Sequence, residues 1–85
     1  FVNIGLLYLE AGDIDKAKKE LEDVLLVYPS NAYARFVLAM TLIAEGDEEN
    51  ARLFLEDAIE LWSNADENFL YRERAREKLA SLSDT

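Results

Sequence analysis

The sequence predicts an all-α fold in which antiparallel helix-turn-helix units, about five helices in all, stack as an α-solenoid. Three observations carry that expectation. First, residues 12–25 laid over residues 46–59 match at Gly12/Gly46, Asp13/Asp47, Ala17/Ala51, Leu21/Leu55, Glu22/Glu56 and Asp23/Asp57, an internal repeat at an offset of 34 residues. A fixed period of that length is the signature of a stacked-repeat architecture. Second, Gly12, Pro29 and Gly46 punctuate segments whose apolar residues recur at three- and four-residue steps, the spacing of one helix face. Third, no strand-like alternation survives beside that pattern.

Taken in order, the first helix runs from the start of the chain to about Ala11, where Gly12 stops it. The second opens at Asp13, whose carboxylate can accept from the free amides of the first turn. It continues to about Tyr28, because Pro29 has no amide to extend it. Ser30 or Asn31 caps a third helix that reaches about Glu45 before Gly46. Asp47 caps the fourth, Glu48 and Glu49 set negative charge at the positive end of its dipole, and it ends near Trp62 or Ser63. Asp66 caps a fifth, to about Leu82. Loops of two to four residues force neighbouring helices antiparallel.

Composition narrows the function classes. The 85 residues are 51% apolar and 32% charged, enough for one small core. Histidine and cysteine are both absent, which removes the usual zinc ligands, the commonest general base and all thiolate chemistry. Glu10, Glu45 and Asp47 are the carboxylates from which an acid–base pair could be assembled, and nothing in their spacing closes a pocket around them. The acidic run Glu45, Asp47, Glu48, Glu49 lacks the alternating ligand spacing of a calcium loop and reads as helix capping. No catalytic residue, metal site or cofactor is expected. The net charge of −9 argues against nucleic acid and anionic membrane as partners. No apolar run approaches the roughly 20 residues of a membrane span. Phe1-Val2-Asn3-Ile4 reads as the middle of a helix already under way, as in a piece of a longer protein.

Phe1-x-x-Ile4-Gly5-x-x-Tyr8, followed by Gly12, Ala17, Leu21 and Pro29, resembles the tetratricopeptide repeat (TPR) pattern of Trp-x-x-Leu-Gly-x-x-Tyr, then Ala, Phe and Pro. The second copy reads Leu38-Ala39-x-x-Leu42, Gly46, Ala51, Leu55, Ala58, with Arg35 where a large aromatic is usual and Ser63 in place of the proline. The resemblance implies a right-handed solenoid with a first repeat over residues 1–30, its first helix truncated, and a second over 31–64. A C-terminal capping helix follows over 65–82, or else the first helix of a third, divergent repeat, and a frayed tail over 83–85. In that frame Gly5, Ala39, Ala17 and Ala51 are small so that paired helices approach closely. Leu21, Leu55, Tyr8 and Leu42 fill the space between layers. Trp62 closes the core against the fifth helix, and Tyr28, its repeat mate, does the same one layer earlier. The fifth helix offers one narrow apolar stripe, Tyr71, Ala75, Leu79 and Leu82, with charge elsewhere. Its Arg72, Arg74, Arg76 and Lys78, interleaved with Glu73 and Glu77, read as a salt-bridged, solvated face.

TPR arrays bind peptides and protein segments in a concave groove lined by the first helix of each repeat, so the resemblance implies a protein-interaction scaffold rather than an enzyme. On the third helix, Tyr33, Phe36, Met40 and Ile43 form a second apolar stripe beside the packing face, and Val2, Leu6 and Leu9 are its counterpart on the first. Together they are the expected partner-binding groove. Two aromatic side chains alone bury on the order of 300–500 Å², and the largest exposed patch on an ordinary monomer is roughly 300–600 Å². The stripe is therefore expected to meet an apolar or amphipathic helical partner segment, a second copy of the chain as a homodimer, or a cover from the parent chain. In the last case the unit is a structural spacer, and the fifth helix folding back is one such cover. The Lys and Asn side chains with which some TPR domains clamp a terminal carboxylate are replaced here by Val2, Leu6 and Val37.

Overall fold

Gly12 and Gly46 turn the chain in the same way, 34 residues apart. Both take a left-handed backbone, with φ of 82° and 93°, which any side chain would strain. The amide of Gly12 donates to the Leu9 carbonyl at 3.0 Å and that of Asp13 to Tyr8 at 2.8 Å, while Gly46 and Asp47 donate to Ile43 and Leu42 at 3.0 and 2.8 Å. This pair of bonds satisfies the carbonyls that a helix end leaves open. Sequence identity at the glycines thus becomes identity of turn geometry.

The computed structural model describes residues 2–62 and 69–83, with side chains from residue 5 to 62 and from 71 to 82. Five helices follow one another: α1 (Val2–Glu10), α2 (Ile14–Val27), α3 (Ala32–Glu45), α4 (Glu48–Trp62) and α5 (Phe69–Ser83). Among the described residues there is no strand, and no helix is long and apolar enough to cross a membrane. Successive helices pack on one another and α1 also lies against α3, which is the order of a helical-repeat solenoid. The molecule is 31 × 30 × 19 Å, its short dimension that of two helix layers.

The repeat is legible in what is buried. Ala17, Leu21 and Val24 of α2 are buried, and so are Ala51, Leu55 and Ala58 of α4, each 34 residues on. Gly5 lies so close to α2 that a Cβ there would sit 2.8 Å from Leu21 Cγ. Between them α3 is covered on most sides, with Ala34, Val37, Leu38, Ala39, Thr41 and Leu42 all buried. The Thr41 hydroxyl meets the Val37 carbonyl one turn back at 2.9 Å, which keeps the one buried polar side chain of the described core bonded.

Some local expectations are corrected. Asp13 makes no capping bond; its carboxylate turns instead to Lys16, 3.6 Å away. Asn31 caps α3 by accepting from the Ala34 amide at 3.0 Å, and Asp47 caps α4 through the amide of Asn50 at 3.2 Å. The side-chain amide of Asn50 adds a second bond to Asp47 at 2.8 Å. The expected cap at Asp66 lies outside the described residues. Trp62 is buried as expected, but Tyr28 is 56% exposed: it lies past the end of α2 with φ −127° and ψ 74°, whereas Trp62 is still within α4.

Arg35 accounts for its own departure from the repeat pattern. Its Nε and Nη2 both donate to the Pro29 carbonyl, at 2.9 and 2.7 Å, so the guanidinium holds the α2–α3 turn. The same group lies 5.8 Å from the Phe54 ring centre and 3.5 Å from Asp57 on α4. A planar cation with several donors bridges the turn and the neighbouring helix, where an aromatic ring could only pack.

Candidate interaction groove

Helical spacing splits α3 into two apolar faces. Leu38, Ala39 and Leu42 are buried in the core, while Tyr33, Phe36, Met40 and Ile43 stand at its edge, each half-buried. Leu6 and Leu9 on the neighbouring α1 are also half-buried and, with Tyr33, Phe36 and Ile43, pack against the core cluster. The backbone of Val2 belongs to α1, and its side chain lies outside the described residues. Val37, at one of the positions compared with the carboxylate clamp, is 2% exposed and takes no part in the surface.

The fifth helix decides what remains of the stripe. Tyr71 meets Tyr33 edge-on at 5.3 Å between ring centres and stacks on Trp62 at 5.8 Å. Trp62 in turn lies 5.9 Å from Phe36, and Phe36 lies 6.5 Å from Tyr33. Four rings from three helices thus close a circuit over the first turns of α3. Contacts of this kind contribute roughly 0.5–1.5 kcal/mol each beyond their burial. Burial also raises the Tyr33 phenol above its ordinary value, with Tyr71 and Glu10 adding to the shift and Arg74 opposing it.

Beyond the ring circuit the groove stays open. A cleft of about 330 Å³ runs between α3 and α5, with Phe36 and Met40 on one side and Arg74, Glu77 and Lys78 on the other. Helical phase explains this wall: Tyr71, Arg74 and Lys78 follow at three- and four-residue steps and share a face. Ala75 and Leu82 lie on the flank of that face nearer the core and are buried, with Leu79 partly buried beside them. Arg52 of α4 donates to the Leu82 carbonyl at 3.1 Å, setting a cation at the negative end of α5.

Part of the salt-bridged face expected of α5 is present. Glu73 pairs with Arg76 at 3.5 Å. Among the described residues, Arg74 and Lys78 have no carboxylate within ion-pair distance, and Arg74 lies over the Tyr71 ring at 5.9 Å. Sequence reasoning missed both as groove residues. The available signal was their four-residue spacing, in phase with Tyr71.

Two of the three candidate carboxylates, Glu45 and Asp47, are engaged structurally. Glu45 takes a hydrogen bond from Lys18 at 3.2 Å, which together with its charge raises the lysine above its ordinary value. Asp47 is held below the usual carboxylate range by the two bonds from Asn50. A second apolar surface, not anticipated, ends α2: Leu26, Val27 and Tyr28 are exposed beside a cleft of about 270 Å³ that Glu20 and Asp23 also line.

A family model described as Tetratricopeptide repeat matches residues 2–66. No curated protein and no solved structure matches the chain.

Proposed function

From the premise that this chain belongs to the tetratricopeptide repeat family, whose repeats generally mediate protein–protein interaction and typically serve as non-enzymatic scaffolds, we propose that it holds a partner segment in the groove along α3. The recognition elements are Phe36, Met40 and Ile43 on α3, Leu6 and Leu9 on α1, and the α5 wall. Val2 belongs to the same stripe by its position in the sequence. Tyr33 serves from within the ring circuit, as a rigid support for Phe36 rather than as free contact area. The mechanism is shape and apolar complementarity with no covalent step.

The observation that carries this reading is the cleft between α3 and α5. Met40 and Phe36 line it, both half-buried beside the core. Met is unbranched and polarizable and adapts to ligands of different outline. An amphipathic helix or an extended segment with apolar anchors fits such a surface.

Panning a random dodecapeptide library displayed on phage against the chain tests the proposal, with a Met40→Glu variant of unchanged helicity as the counter-target. Selected peptides that bind the parent with at least tenfold preference over the variant support it. Peptides that bind both equally overturn it, as does a library that yields no binder.

A further inference from the structure

The cleft has an apolar floor and a positively charged wall in a protein whose net charge is −9. That contrast is local. Residues 1–66 hold Lys16, Lys18, Lys19, Arg35 and Arg52 against fourteen acids, whereas Arg72, Arg74, Arg76 and Lys78 balance the four acids of residues 67–85. Most of the other basic groups are engaged, Arg52 with the Leu82 carbonyl and five more with carboxylates. Lys16 pairs with Asp13, Lys18 with Glu45, Lys19 with Asp23, Arg35 with Asp57 and Arg76 with Glu73. Arg74 and Lys78 have no such carboxylate among the described residues, and both stand at the mouth of the cleft beside Phe36 and Met40.

Resting on the reading above, we propose that the groove selects an acidic partner segment: one carrying an Asp or Glu within a turn of an aliphatic or aromatic anchor. The anchor lies on Phe36 and Met40, and the carboxylate is received between Arg74 and Lys78. Placement of the two cations follows from the structure around them. Arg74 is steadied by the Tyr71 ring, itself fixed between Tyr33 and Trp62. A guanidinium held in this way presents its donors to a carboxylate with less loss of side-chain freedom than a free one. Glu77, on the same wall, excludes a segment with two adjacent acids and confines the preference to a single carboxylate at that point.

Charge complementarity also decides between occupants. A second copy would bring another net −9 to the surface, with like charges opposed over most of the contact. An acidic segment meets the cations directly and touches little of the acidic body. The rest of the body steers acids away, so the two cations fix the register of the segment more than they raise its affinity.

The test uses peptides selected on the parent chain, measured by fluorescence anisotropy against the parent, Arg74→Gln/Lys78→Gln and Met40→Glu. Selected sequences should be enriched in single Asp or Glu residues next to Leu, Ile, Phe or Trp. The double substitution should weaken binding about tenfold, a loss of the size two partly screened charge pairs can produce. Affinity for the parent should also fall with added NaCl, while that for the double variant, left with only the acidic body, should not fall. Peptides without acids, bound equally by parent and double variant but lost on Met40→Glu, would overturn the acidic preference and leave the groove standing. Binding insensitive to all three substitutions would overturn both. A concentration-dependent dimer in light scattering, broken by Met40→Glu, would assign the cleft to a second copy instead.

Discussion

At Gly5 the contact between α1 and α2 admits a hydrogen atom and nothing larger. A Cβ there would meet Leu21 at Cγ and Cδ2, at 2.8 and 2.9 Å, and Leu21 is itself fully buried. The clash falls on the branch point of the leucine, so turning its terminal methyls does not relieve it. Gly5→Ala gains up to about 1 kcal/mol of helix propensity and loses about 1–3 kcal/mol by overpacking. The net expected is destabilisation by about 1–2 kcal/mol, read from the urea midpoint; an unchanged or higher midpoint would contradict the close approach. The small residue at this position was legible from the repeat pattern alone, because contact between paired helices depends on local spacing. The same logic failed at Tyr28. Its repeat mate Trp62 is the last residue of α4 and stacks on Tyr71 of α5, whereas Tyr28 lies one residue past the end of α2 with a non-helical backbone, so equal positions in the repeat have unequal surroundings.

Helix ends show a second limit on what position alone conveys. Asp13 and Asp47 are identical in the repeat and both precede a helix, yet only Asp47 caps. The difference lies three residues on. Asn50 offers two donors to Asp47, while Lys16 draws the Asp13 carboxylate outward. Asn31→Ala and Asp47→Ala should therefore each cost about 1 kcal/mol of unfolding free energy, and Asp13→Ala should stay within about 0.5 kcal/mol of the parent. Chemical denaturation of the three variants checks the ranking, and a cost at Asp13 equal to that at Asn31 would show that it caps in solution. The boundaries of α1 to α4 were readable to within a residue or two, since glycine and proline impose them through the backbone. The groove was readable only as a stripe on α3. Its wall depends on how α5 sits against that stripe, which no local spacing encodes, and with it went the identity of Arg74 and Lys78 as groove residues.

For the whole molecule, charge sets the response to solvent. Fourteen acids against five bases over residues 1–66 repel one another across a body only 31 Å long, a few screening lengths at physiological salt. The ion pairs that oppose this repulsion sit at the surface, where each contributes little. Screening therefore removes more repulsion than attraction, and NaCl raised from about 0.01 to 0.5 M should shift the urea midpoint upward. At alkaline pH the sign reverses. Tyr33 and Lys18 both bind their protons more tightly in the folded chain than their ordinary values of 10.0 and 10.5. The stability they contribute is present in full below those values and is lost as pH rises through the folded ones. The midpoint should thus hold level from pH 7 to about 9 and fall above pH 10, and Tyr33→Phe should blunt the fall by removing one of the two groups. A midpoint that drops with salt at pH 7 would mean that the exposed ion pairs outweigh the acidic repulsion, and one that rises above pH 10 would reverse the sign assigned to both groups.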